Sequence, residues 1–356
     1  MKKTFGHIVL AVAVLASILY AEGSQKDRRN DLRHFVPSTV SPGWTAVYAS
    51  MPDPEDAPTM PAPEDKKGWH TLHQEWEKAR LSLAMKKAKA LGVKVQKSRL
   101  GGVPVVIVTP PHYRGSRDLL IYTHGGAYTM LSAESTVDGA ALIAKYSGLK
   151  VISIDYTNPP EARWQKVTDE VLSVIDALVA QGYKRDRMVL MGDSAGGALA
   201  AGSVLKMRDR GLSLPAALVL WSPWADITET GDTYTTLKAA EPRFIYKRVL
   251  GPSALAYAEQ KDQKNPYVSP VYGDFAKGFP PTLIQGGTRE IFLSNFVRLY
   301  QAIDTAGGKA VLDLYEGMPH VFQTTLPDSP ESVTALKKTA RFIRRYLKRA
   351  TTPPNP

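Results

Sequence analysis

The sequence predicts an α/β protein: one eight-stranded, mostly parallel sheet with helices on both faces and a small helical cap. Two observations carry that prediction. Apolar, strand-like runs begin near Val93, Val103, Leu119, Leu149, Met188, Ala217, Thr282 and Ala310. The later ones alternate with helical segments such as Val167 to Gln181, the alternation that parallel neighbours require. In addition, Gly192-Asp193-Ser194-Ala195-Gly196 joins the run Met188 to Met191 directly to a small-residue helix, Ala195 to Lys206. A sharp strand-to-helix turn of this kind belongs to an open sheet. The chain of 356 residues is long enough for one large core plus a cap, and no internal repeat is visible.

In chain order, the first 23 residues read as a secretory signal peptide. Lys2 and Lys3 precede an apolar run from Ile8 to Tyr20, and small residues follow at Ala21 and Gly23. The run is short against the roughly 20 apolar residues of a membrane span, so a periplasmic or secreted protein is expected, with an uncleaved inner-membrane anchor as the alternative. The absence of cysteine excludes a lipid-attached lipoprotein and any disulfide. Residues 24–92 form an N-terminal cap and connection: Pro52 to Lys67 is rich in Pro, Asp, Glu and Ala and reads as irregular surface chain. Leu72 to Leu91 is helix-forming, with Gly92 as its stop.

Residues 93–350 form the catalytic domain. Val93 to Arg99 and Val103 to Thr109 make a hairpin about Gly101-Gly102. The strand Leu119 to Thr123 leads into His124-Gly125-Gly126-Ala127. An insertion at about residues 227–270 completes the cap. Pro281 to Gln285 is a short strand that exits into Gly286-Gly287-Thr288-Arg289-Glu290, and Ala310 to Leu314 exits into the loop Gly317 to Phe322. A final helix carries Val333, Leu336, Ala340, Ile343 and Leu347 at spacings of three and four, and residues 351–356 are a disordered tail.

The chemistry starts at Ser194, a nucleophile on a sharp turn whose flanking glycines let the backbone bend hard. The fold built around such an elbow places the acid next in the chain and the histidine last. His320 is the one histidine after Ser194, and it sits in a strand-end loop where a rigid sheet presents catalytic groups. Glu290 leaves a strand as a histidine-orienting carboxylate should, whereas Asp313 lies inside a strand and Asp304 in a helical segment. The bare backbone of Gly125 and Gly126, with the N–H of Ala195, supplies an oxyanion hole. His124 props its loop. His70-x-x-His73 lacks further ligands, so no metal site and no cofactor are expected.

These motifs resemble the hormone-sensitive-lipase-like branch of the α/β-hydrolases, the bacterial family IV esterases and lipases. The resemblance runs from about Leu100 to Leu347 and rests on His124 to Tyr128, Asp155-Tyr156, Gly192 to Gly197, Ser222 to Asp226, and the Glu290 and His320 loops. It implies a carboxylesterase acting on short to medium acyl esters through a Ser-His-Glu triad and an acyl-enzyme. Among the aromatics at the strand ends, Tyr128, Tyr156, Trp221 and Trp224, Tyr128 is the one expected to touch substrate. The chain departs from the pattern in three places. Ala127 stands where many members carry a third glycine, and Thr157-Asn158-Pro159-Pro160 replaces Arg-Leu-Ala-Pro. Glu290-Ile291-Phe292 stands where Asp-Pro-Leu is common. A lactone hydrolase of the same fold and a non-catalytic ligand-binding relative remain the alternatives, and the intact set of three argues against the latter.

Net charge is +11, from 45 Lys and Arg against 34 Asp and Glu. Much of it lies near the N-terminus and on the solvent side of the last helix, where bases favour the negative end of the helix dipole. Binding to nucleic acid would want base-reading or aromatic groups set among these bases, and the solvent face of an amphipathic helix accounts for the charge without it, so nucleic acid is not an expected partner. A weak pull toward an anionic envelope is.

Overall fold

The computed structural model describes residues 32–349. The expected signal peptide and the tail at 351–356 lie outside the described residues. Eight strands form one sheet in the order β1-β2-β4-β3-β5-β6-β7-β8: β1 (Lys94–Leu100), β2 (Val103–Thr109), β3 (Leu119–Thr123), β4 (Lys150–Ile154), β5 (Met188–Asp193), β6 (Ala217–Trp221), β7 (Thr282–Gly287) and β8 (Ala310–Tyr315). The β1–β2 hairpin and the β2–β4 pair are antiparallel, and every later pairing is parallel.

Both faces of the sheet are buried, which is why its central strands are apolar throughout. Along β3, Leu119 and Ile121 face one core, while Leu120 and Tyr122 face the other. This period of two sorts the helices. The first core takes α4 (Trp164–Ala180), α5 (Ser194–Asp209) and α8 (Leu293–Thr305); the second takes α3 (Val137–Ser147) and α10 (Pro330–Arg349). In α5, every side chain from Ser194 to Met207 is buried. Its alanines and glycines let it lie close under β5 and β6. On α10 the apolar stripe faces inward, and Lys337, Lys338, Arg341, Arg344, Arg345 and Lys348 are exposed.

The remaining helices fall outside these strand–helix units. Ahead of the sheet come α1 (Gly43–Ser50) and α2 (Lys66–Ala90), of which α2 lines the second core through Ala84 and Ala88; after β6 come α6 (Thr233–Thr236) and α7 (Gly251–Tyr257), and α9 (Phe322–Thr325) follows β8. The N-terminal region and the insertion touch, through Met60 N–H donating to Arg248 O at 2.9 Å. Helix α2 starts six residues before the expected Leu72. Asp65 caps it by accepting from Gly68 N–H at 2.9 Å, and Trp69, fully buried, anchors its first turn. The stretch from Pro52 is likewise less irregular than its composition suggests, since Asp53 caps a short helical turn at Pro54–Asp56.

Candidate active site

The site is assembled at the carboxyl ends of β3, β5, β6, β7 and β8. Ser194 leaves β5 with φ of 54°, a left-handed backbone that a side-chain-bearing residue rarely adopts. The turn is tight enough to explain its glycines. A Cβ on Gly192 would meet Gly196 O at 2.3 Å, and one on Gly196 would meet Thr123 O at 2.1 Å. Trp224 N–H donates to Ser194 O at 2.9 Å, tying the chain after β6 to the elbow.

Glu290 and His320 meet. The imidazole Nδ1 lies 2.6 Å from Glu290 Oε2, and both side chains are buried. The carboxylate is a good acceptor because it is held on its other oxygen: Oε1 accepts from Gly287 N–H at 2.6 Å and from Ser222 Oγ at 2.8 Å. Ser222 also accepts from Val321 N–H at 3.0 Å, so one hydroxyl fixes the acid and the backbone beside the histidine together. The rival acids are used elsewhere. Asp313 pairs with Lys338 and accepts from Tyr315 Oη and Gln285 Nε2, and Asp226 is clamped by Arg298 and Tyr272.

His320 is packed by the rings of Phe244 and Phe292, at 5.0 and 5.1 Å between centroids. It lies near enough to the elbow for a charge on its ring to lower the Asp193 pKa. Ser194 Oγ and His320 make no hydrogen bond with each other.

The oxyanion loop differs from expectation at one residue. Gly125 N–H is already committed to Asp193 Oδ1, at 3.1 Å. Gly125 is bare for packing: a Cβ there would lie 2.4 Å from Asp193 Oδ2 and 3.0 Å from Ser194 Cβ. The N–H groups of Gly126 and Ala127 make no hydrogen bond among the described residues, and Ala195 N–H is a first-turn donor that α5 itself cannot satisfy. The available donors are thus shifted by one position, to Gly126, Ala127 and Ala195.

Two residues were not picked out from the sequence. Asp193 is buried, and its carboxylate accepts from Tyr122 Oη–H as well as Gly125 N–H, joining β3, the oxyanion loop and the elbow. Burial pushes its pKa up, against the opposing pull of these donors. Ser222 is the other; its position after a buried strand, in Ser222-Pro223-Trp224, was the available signal. His124 does prop its loop, with Nδ1 2.7 Å from Gly125 O and its ring stacked on Tyr156. Tyr128 is 1% exposed and stacks on Tyr257. His73 binds Thr129 O and His70 pairs with Glu161, and among the described residues no cluster of metal-ligating side chains exists.

Comparison with known proteins bears on the fold and the family. A family model described as the alpha/beta hydrolase fold matches residues 120–324. An acetyl-hydrolase of Streptomyces hygroscopicus is 32% identical over 284 residues, covering 78% of this chain and 92% of the relative. The crystal structure of an esterase, E25, superposes with a TM-score of 0.82 at 30% identity, covering 92% of this chain and 98% of that one. An esterase from the bacterial hormone-sensitive lipase family superposes with a TM-score of 0.70 at 30% identity, over 76% of this chain and 91% of that structure. This chain belongs to the α/β-hydrolase family, as a serine hydrolase of its hormone-sensitive-lipase-like esterase branch.

Proposed function

We propose that the protein hydrolyses carboxylic esters of short to medium acyl chains through a Ser194-His320-Glu290 triad. The observation that carries the reading is the imidazole of His320 held by Glu290 at the rim where Ser194 stands on a strained turn. Glu290 fixes the ring with Nδ1 as donor, which leaves Nε2 as the base. His320 takes the Ser194 proton as Oγ attacks the ester carbonyl, and the developing oxyanion meets the N–H groups of Gly126, Ala127 and Ala195. The alcohol leaves with the proton from His320. Water, activated by the same imidazole, then releases the acid and restores the serine. Each preorganised donor of such a hole is worth on the order of 3 kcal/mol of barrier.

The acyl range is supported by the acetyl-hydrolase relative and by the aromatic residues crowding the site. Tyr128, Trp224, Phe292 and Phe244 form a chain of ring contacts that ends on His320. The test is a panel of p-nitrophenyl esters from acetate to palmitate with simple lactones alongside. Turnover should peak at short acyl chains, and Ser194→Ala should abolish it; an alanine variant with undiminished rate ends the proposal, and preferential lactone turnover replaces the substrate. We also propose, from the N-terminal leader motif, that the protein is exported; a cytoplasmic location on fractionation would overturn this.

A further inference from the structure

The first part of the N-terminal region reaches the loops that carry Glu290 and His320. Tyr48, fully buried on α1, donates its hydroxyl to Gly317 O at 2.5 Å, three residues before His320. Val40 and Pro37 lie against the same turn, where a Cβ on Gly317 would come within 2.9 and 3.1 Å of them. Arg289, next to Glu290, donates to Leu32 O, Phe35 O and Ala240 O, and its guanidinium lies 4.9 Å over the Tyr48 ring. One N-terminal segment thus holds both loops.

The loops also hold each other, through Gly317 N–H to Thr288 Oγ1 at 2.9 Å and Thr288 N–H to Tyr315 O at 3.0 Å. The segment has its own anchorage remote from the catalytic side chains: Glu331 accepts from Ser41 N–H and Oγ–H, both at 2.7 Å, and from Trp44 Nε1 at 3.2 Å. Val40, Trp44 and Tyr48 pack with Tyr315, Met318, Phe322 and Ala335 as a separate apolar cluster. The turn that carries His320 bends twice through left-handed backbone, at Gly317 (φ 68°) and Val321 (φ 49°). Local sequence does not favour that shape at Val321, so surrounding contacts must impose it.

We propose that residues 32–51 are a positioning strap for the histidine and acid loops, acting through the Tyr48 hydroxyl and through the Leu32 and Phe35 carbonyls that hold Arg289. The proposal rests on the Ser194-His320-Glu290 reading. Without the Tyr48 hydroxyl, Gly317 O is left buried without its donor, and the turn relaxes toward another acceptor geometry. Displacements well under 1 Å at His320 slow proton transfer without altering how substrate is held. The signature is therefore a loss in kcat at constant KM.

The test compares full-length wild type, Tyr48→Phe, Arg289→Lys and Val174→Ala. Val174→Ala creates a cavity in α4, which packs on α5, β1 and β2, and so reports destabilisation alone. A serine-directed phosphonate serves twice, counting competent sites at completion and reporting Ser194 reactivity by its rate. Tyr48→Phe and Arg289→Lys should each lower kcat per titrated site, and the phosphonylation rate, by about tenfold with KM within twofold. Val174→Ala should lower Tm and leave kcat per site unchanged. Wild-type kcat per site in both strap variants, or an equal loss in Val174→Ala, overturns the proposal. Should Tyr48→Phe not fold, Arg289→Lys decides on the same criterion. A wild type that neither turns over esters nor is labelled refutes the triad reading instead.

Discussion

Ser222→Ala offers the sharpest test of how the acid is held. The change deletes one oxygen from a fully buried site where it makes two hydrogen bonds, to Glu290 Oε1 at 2.8 Å and from Val321 N–H at 3.0 Å. A hydrogen bond to a charged group contributes about 1.5 to 3 kcal/mol, and a buried N–H left unpaired costs about 1 to 3 kcal/mol. The two losses share an atom and are not additive, so the net is about 3 kcal/mol. At roughly 1.4 °C per kcal/mol for a chain of this size, Tm should fall by about 4 °C. Glu290 keeps Gly287 N–H and His320 as partners, both at 2.6 Å, so the proposed triad would survive with a looser frame. The expected drop in kcat is about tenfold, equivalent to about 1.4 kcal/mol of barrier. Thermal unfolding and steady-state kinetics on titrated enzyme measure both; a Tm within 1 °C of wild type with unchanged kcat refutes the role given to this hydroxyl.

Glu290→Gln keeps the shape but withdraws the charge that stabilises an imidazolium, and kcat should fall by about three to four orders of magnitude; a loss below tenfold would remove Glu290 from the triad. Gly125→Ala forces a methyl against Asp193 and Ser194. It should lower kcat at least a hundredfold while Gly125 N–H is not itself a donor to substrate; an active alanine variant contradicts the packing argument. Glu241 gives a pH prediction. Burial, with the nearby Glu290 charge adding to it, pushes its pKa up to about 7, against the backbone N–H of Ile291 and Arg243 that favour the anion. A carboxyl raised in the folded state binds its proton more tightly there than when unfolded, so its contribution to stability declines as pH rises from about 4.5 to about 7. The stability of wild type relative to Glu241→Gln, from urea unfolding at several pH values, should therefore fall across that window, by up to about 1.4 kcal/mol per unit. A pH-independent difference would place the Glu241 pKa back in the ordinary range.

The parts of this protein set by short-range rules were legible in the chain. Strand positions followed from apolar runs bounded by turns, and all eight begin within one residue of where those runs start. The elbow could be read because Gly192 and Gly196 have no alternative once a strand must turn directly into a helix. Order along the chain singled out His320, and position after β7 singled out Glu290 from a crowd of carboxylates. The loop after β3 could be read as a place of close approach, but its partner could not: a pair of glycines does not say what comes near, and at Gly125 it is the Asp193 carboxylate.

What the chain alone determined is a local matter, where strands and helices lie and which residue types stand at strand exits. Tertiary structure decided the rest, because hydrogen-bond partners are chosen by proximity between segments far apart in sequence. Ser222 serves Glu290 across 68 positions, Tyr48 serves Gly317 across 269, and Asp313 is drawn away to Lys338. No periodicity or spacing encodes such pairings; they exist only once the sheet has brought its strand ends, and the strap before it, to one rim.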